Sequence, residues 1–159
     1  MGNRFPVEVE RLLLVAGWSP GRAVEADPCL AAWRSLGLDA EAGPVDFVRE
    51  FDGLFVRHPP YIDAAGVRHW DHTRFDVAGS VQGISPLMHR EYSGLAGMDL
   101  YPVGENRWHA TLLAGADGGL FCGVDNYLLG YFGRLDAVVA EICRGVRPVL
   151  VGEWELGSD

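Results

Sequence analysis

Between residues 108 and 124 the chain sets the segment Gly115-Ala116-Asp117-Gly118-Gly119 between two apolar runs, Trp108 to Leu113 and Leu120 to Val124. Glycine adopts the backbone angles of tight turns, and Asp bonds to its own backbone, so the pattern predicts a β-hairpin. A hairpin turn accounts for this glycine-rich segment in full. It is not a phosphate cradle: it lacks GxxxxGK[ST], it joins two predicted strands, and the chain contains no Lys.

The flanking sequence changes character twice. Phe5, Val9, Leu12, Leu13 and Ala16 recur on one helical face, with Pro6 in the first turn and Gly17 as the stop. Further helices are predicted from Asp27, as cap, to Gly37 and from Val45 to Phe51. A strand is predicted at Leu54 to His58, a strand region over Val67 to Val77, a helix over Gln82 to Ala96, and an extended segment at Met98 to Gly104. Leu128, Tyr131, Phe132, Leu135, Val138, Val139 and Ile142 follow the helical repeat up to Gly145, which predicts a long C-terminal helix. Gly130 and Gly133 each cost that helix about 1 kcal/mol. A short strand is predicted within Arg147 to Leu156. Helices, then strands, then a helix describe an α+β fold: an antiparallel sheet flanked by N-terminal helices and a long C-terminal helix. One domain over residues 1–159 is expected at this length.

Composition limits the partners. The formal net charge is −9, so phosphate backbones and anionic membranes are repelled and a basic protein is attracted. Apolar runs such as Leu12 to Ala16 fall far short of a bilayer span, and the first residues lack the apolar core of a signal peptide. A cytoplasmic protein is expected. Cys29, Cys122 and Cys143 are far apart, odd in number and set among apolar neighbours, with neither zinc nor disulfide spacing.

Catalytic chemistry has little to stand on. His69-Trp70-Asp71-His72 is the densest run of potential ligands, and a small metal-dependent hydrolase would use His69, Asp71 and His72. On a strand, His69 and Asp71 share a face and His72 points away, while Arg68 and Arg74 disfavour a cation. Gly79-Ser80 and Ser93-Gly94 lack the GxSxG elbow, and no Cys has a His partner nearby in sequence. No catalytic residue, metal or cofactor is expected. The five Trp residues are numerous, and any exposed one would serve as an interface anchor.

Three segments, in order, carry a resemblance. They are Arg4-Phe5-Pro6 through the helix to Ala16-Gly17-Trp18-Ser19-Pro20-Gly21-Arg22; Phe47 to Leu54; and Leu100-Tyr101-Pro102-Val103-Gly104-Glu105 with the hairpin after it. Together they resemble the SUKH superfamily of immunity proteins, most closely its third subfamily, over nearly the whole chain. Family members more often carry a second Gly where Asp52 stands, and Asp also suits a turn. The resemblance implies an α+β binding protein that neutralises a cognate polymorphic toxin, commonly a nuclease or deaminase, in the cytoplasm of the producing bacterium. It brings no catalytic residues. Gly17, Trp18, Gly21, Arg22, Gly53 and Gly104 are read as scaffold, with Trp18 folding back as an apolar plug and Arg22 open to a carboxylate.

The expected function is therefore immunity by binding a protein toxin, with a regulatory or adaptor role on the same scaffold as the alternative. Glu105, Trp108, Asp117, Asp125 and Tyr127, near one sheet edge, are the expected partner-binding residues. Simpler roles compete with two of them: Asp117 in its turn, and Asp125 as cap of the last helix.

Overall fold

The computed structural model describes residues 3–106 and 109–157. In chain order the elements are α1 (Val7–Ala16), α2 (Asp27–Arg34), α3 (Ala42–Phe51), β1 (Phe55–Arg57), β2 (Tyr61–Ile62), β3 (Arg68–His69), β4 (His72–Arg74), α4 (Val77–Gly83), α5 (Pro86–Ala96), β5 (Leu100–Asn106), β6 (Thr111–Gly115), β7 (Leu120–Val124), β8 (Tyr127–Tyr131), α6 (Leu135–Cys143) and β9 (Val149–Glu153). The fold is α+β. Seven strands form one antiparallel sheet in the order β1-β4-β5-β6-β7-β8-β9, and β2 pairs with β3 apart from it.

The N-terminal layer forms as its sequence dictates. Pro6 precedes α1, Val9 and Leu13 are buried, and Gly17 closes the helix at φ +107°. Trp18 does fold back: its ring meets Phe5 edge-on at 5.5 Å, and its Nε1 donates to Glu50 Oε1 at 3.0 Å. Arg22 finds carbonyls rather than a carboxylate. Its guanidinium donates to the backbone oxygens of Glu50 and Asp52, where α3 ends with unsatisfied acceptors. Asp27 is not the cap of α2; Ala26 holds that position, and Asp27 lies in the first turn, where its charge still suits the helix dipole.

In the middle of the chain, the strand region expected over Val67 to Val77 holds β3 and β4, and Val77 already opens α4. The helix expected over Gln82 to Ala96 is divided between α4 and α5. Ser85 caps α5 by accepting from the Met88 amide at 3.1 Å, and Pro86 follows in the first turn.

The hairpin forms as expected. Leu112 pairs with Cys122, Leu113 with Phe121 and Ala114 with Leu120. The long C-terminal helix does not form. Leu128 and Tyr131 belong to strand β8, and α6 runs only from Leu135 to Cys143. Gly133, at φ +129°, breaks the chain between them in a conformation that side-chain-bearing residues avoid.

Both sheet faces are covered over β5–β8. Leu112, Ala114, Leu120 and Cys122 join the larger core with α1, α2, α3 and α6, while Leu100, Leu113 and Leu128 form a smaller core with Ile84 and with Tyr92 of α5. None of the described helices is long and apolar enough to cross a membrane.

Candidate functional site

The expected anchors do not form one cluster. Glu105, at the end of β5, is half-buried and lies opposite both Arg74 and Thr111. Asp125 and Tyr127 belong to the β7–β8 turn at the same end of the meander, and both are exposed. Asp125 is no helix cap: it takes φ +47° in that turn, and its carbonyl accepts from the Tyr92 hydroxyl at 2.6 Å. Asp117 lies in the β6–β7 turn, which the antiparallel course puts at the opposite end. Trp108 lies outside the described residues.

Asp117 does have a setting of its own. Its Oδ1 accepts from the Gly119 amide at 2.9 Å, as its turn requires, yet the residue is exposed. It lines a groove of about 510 Å³ between α3 and the hairpin turn, together with Asp46, Glu50 and Leu135. Glu50 is tied to Arg4, which also reaches Asp136, so part of the acidic charge there is already neutralised.

The histidine run does not converge. His69 Nε2 lies 2.6 Å from Asp63 Oδ2, an arrangement that holds the Asp63 carboxyl below the usual range. The His72 ring stacks on Phe55 at 4.6 Å, and Asp71 Oδ1 accepts from the His72 amide at 2.8 Å. Among the described residues, no group of three or more His, Cys, Asp or Glu could hold a metal ion. All three cysteines are buried and unbridged, and desolvation pushes each thiol up to about 12, far from a nucleophile's range. His58 is buried next to this run, with Nε2 2.8 Å from Thr73 Oγ1.

Among the described residues, the β1–β4 end of the sheet has an open face. In β1, Phe55 and Arg57 flank buried Val56; in β4, His72 and Arg74 flank buried Thr73. The register sets Phe55 against Arg74 and Arg57 against His72, so these four side chains share a face. The same row continues through Glu105 and Thr111 to Gly123, where Tyr92 of α5 lies on the sheet. Helix α5 packs on β5, β8 and β9, and the β1–β4 end of its side of the sheet stays open. Arg57 and Arg74 lie over the Phe55 ring at 6.0 and 5.5 Å, and Arg68 lies over Trp70 at 4.6 Å.

A family model described as SUKH-3 immunity protein matches residues 5–145. The chain belongs to that family. No curated protein and no solved structure matches it.

Within this SUKH-3 chain, many of the large apolar residues carrying the resemblance are interior. Trp18, Phe47, Val48, Phe51, Leu54, Leu100, Tyr101 and Val103 are all buried. Sequence reasoning placed its Trp anchor at Trp108, outside the described residues, and missed Phe55, Arg57 and Arg74 as surface features. Among the described tryptophans, Trp70 is 57% exposed, whereas Trp18 and Trp33 are core. The available signal was an aromatic and an Arg on alternate residues of one short strand, Phe55-Val56-Arg57, repeated by His72-Thr73-Arg74.

Proposed function

We propose that this SUKH-3 protein is an immunity protein that neutralises a cognate polymorphic toxin by stoichiometric binding, the toxin acting on nucleic acid. The match to an immunity family over residues 5–145 carries this reading. The net charge of −9 supports it, because an enzyme that works on nucleic acid presents a basic surface. The acidic groove holding Asp46 and Asp117 adds a local site of the same sign. Exposed Asp125 and Tyr127 would widen the contact at the far end of the meander, with Glu105 beside them. An interface of this kind buries on the order of 1,600 Å² and depends on a few anchors.

The test is co-expression with the product of the adjacent reading frame, assayed for toxicity. Restored growth and a 1:1 complex on size-exclusion chromatography are expected. Continued killing with no complex would sink the proposal.

A further inference from the structure

The open end of the sheet gathers guanidinium and aromatic groups, with carboxylates among them. Three exposed arginines, Arg57, Arg68 and Arg74, crowd around exposed aromatic rings in a protein of net charge −9. Arg4, Arg22 and Arg144 are held by polar groups: Arg4 by Glu50 and Asp136, Arg22 by two carbonyls, and Arg144 by Glu8. Among the described residues, the side chains of Arg57, Arg68 and Arg74 make neither an ion pair nor a hydrogen bond. They are held by stacking instead. A guanidinium lying on a ring keeps its N–H edge outward, in the fork geometry that matches a carboxylate.

The face also has relief. A hollow of about 190 Å³ is lined by Phe55, Arg57, Trp70, Asp71 and His72. On the other side of Phe55, a second of about 420 Å³ is lined by Leu54, Arg74, Phe75 and Asp76, among others. Phe55 is a ridge between two seats, each able to take an apolar side chain. Aromatic and Arg residues around such seats are the composition of energetic hot spots.

The edge itself is closed to strand addition. β1 is the outermost strand, but it is three residues long and is followed by Pro59 and Pro60, which lack the N–H that a new strand would pair with. Contact here runs through side chains. A nucleic acid fits poorly, since Asp71, Asp76 and Glu105 are interspersed with the arginines and the whole molecule repels a phosphate chain.

We infer that the face made by Phe55, Arg57, Trp70, His72 and Arg74 is a docking surface for the toxin, and that it grips a carboxylate-bearing segment of that toxin. This rests on the immunity reading above. A basic toxin is compatible with it: the net charge acts at long range during approach, whereas these arginines act at contact, within the roughly 8 Å over which charges are felt at physiological salt.

The experiment measures affinity, by surface plasmon resonance, for the catalytically inactivated toxin against which the protein protects in co-expression. The variants are Arg57→Glu/Arg74→Glu, Arg57→Lys/Arg74→Lys and Phe55→Ala, with Arg34→Glu/Arg90→Glu as a control of equal charge change on exposed helix positions. Unchanged thermal midpoints establish that the variants fold. Charge reversal and Phe55→Ala are each expected to weaken binding by about tenfold or more, mainly through faster dissociation, and the control by less than about threefold. The Lys pair should lose part of the affinity, because it keeps the charge and loses the fork.

Wild-type affinity in the reversed and Phe55→Ala variants, alongside a normal wild-type complex, overturns this docking face and leaves immunity standing. A wild-type protein that neither protects nor binds overturns both. A single-stranded oligonucleotide that binds the wild type, and is lost on reversal, makes the face a nucleic-acid platform and overturns the protein reading.

Discussion

His58 is a residue-scale case of burial setting chemistry. Desolvation is the largest influence on its ring and holds its pKa below 6.5; Asp71 opposes this and His72 adds to it. Unfolding frees the ring to take up a proton, so between the folded pKa and 6.5 the unfolded chain binds more protons than the native one. Stability is then fully present above 6.5 and falls as pH drops below that value. Urea midpoints measured between pH 8 and pH 5 should decline on the acid side in the wild type and decline less in His58→Gln. Equal slopes would show that His58 does not carry the effect. Glu8 and Asp63 belong to a separate, lower window: their folded pKa values are depressed below 4.5 and 3.8, so their contribution is lost only under stronger acid.

At the scale of elements, caps decided where the sequence breaks. Ser85 accepts from the Met88 amide and gives α5 its start, so Ser85→Ala should destabilise the protein by about 1 kcal/mol in denaturant unfolding while leaving α4 intact by hydrogen exchange. An unchanged midpoint would mean that packing of Tyr92 alone fixes α5. Ser85-Pro86 was a readable start signal, but the apolar spacing across Gln82 to Ala96 masked it. The hairpin and α1 were legible because glycine and proline punctuate them unambiguously. The long C-terminal helix was misread for a definable reason. Both faces of β8 are covered, Leu128 by the smaller core and Leu129 by the larger one, so the strand shows a nearly continuous apolar run. Such a run cannot be told from a buried helix by period, and Leu128, Tyr131 and Leu135 happened to fall at helical spacing across the break. Gly130 and Gly133 were noted only as a cost. Gly130 in fact faces Val151 of β9, where an added Cβ would lie 2.9 Å from Cγ2.

For the molecule as a whole, charge makes its own prediction. If a basic toxin is steered by the net −9, the association rate should fall steeply between about 50 and 500 mM salt, with dissociation much less affected. A salt-independent association rate would remove electrostatic steering from the account. The candidate surfaces were only partly legible beforehand. Exposed carboxylates can be listed from sequence, but the separation of Asp117 from Asp125 and Tyr127 by the length of the meander is a property of topology. The arginine–aromatic face was hidden for the same reason, since it needs β1 and β4 side by side in one particular register. That register has a further consequence. Val56 and Thr73 point inward and hold the sheet, while Phe55, Arg57, His72 and Arg74 point outward and hold nothing in the core. Single substitutions at the outward positions of these strands are therefore expected to change the surface and leave the fold in place, with unchanged thermal midpoints as the check.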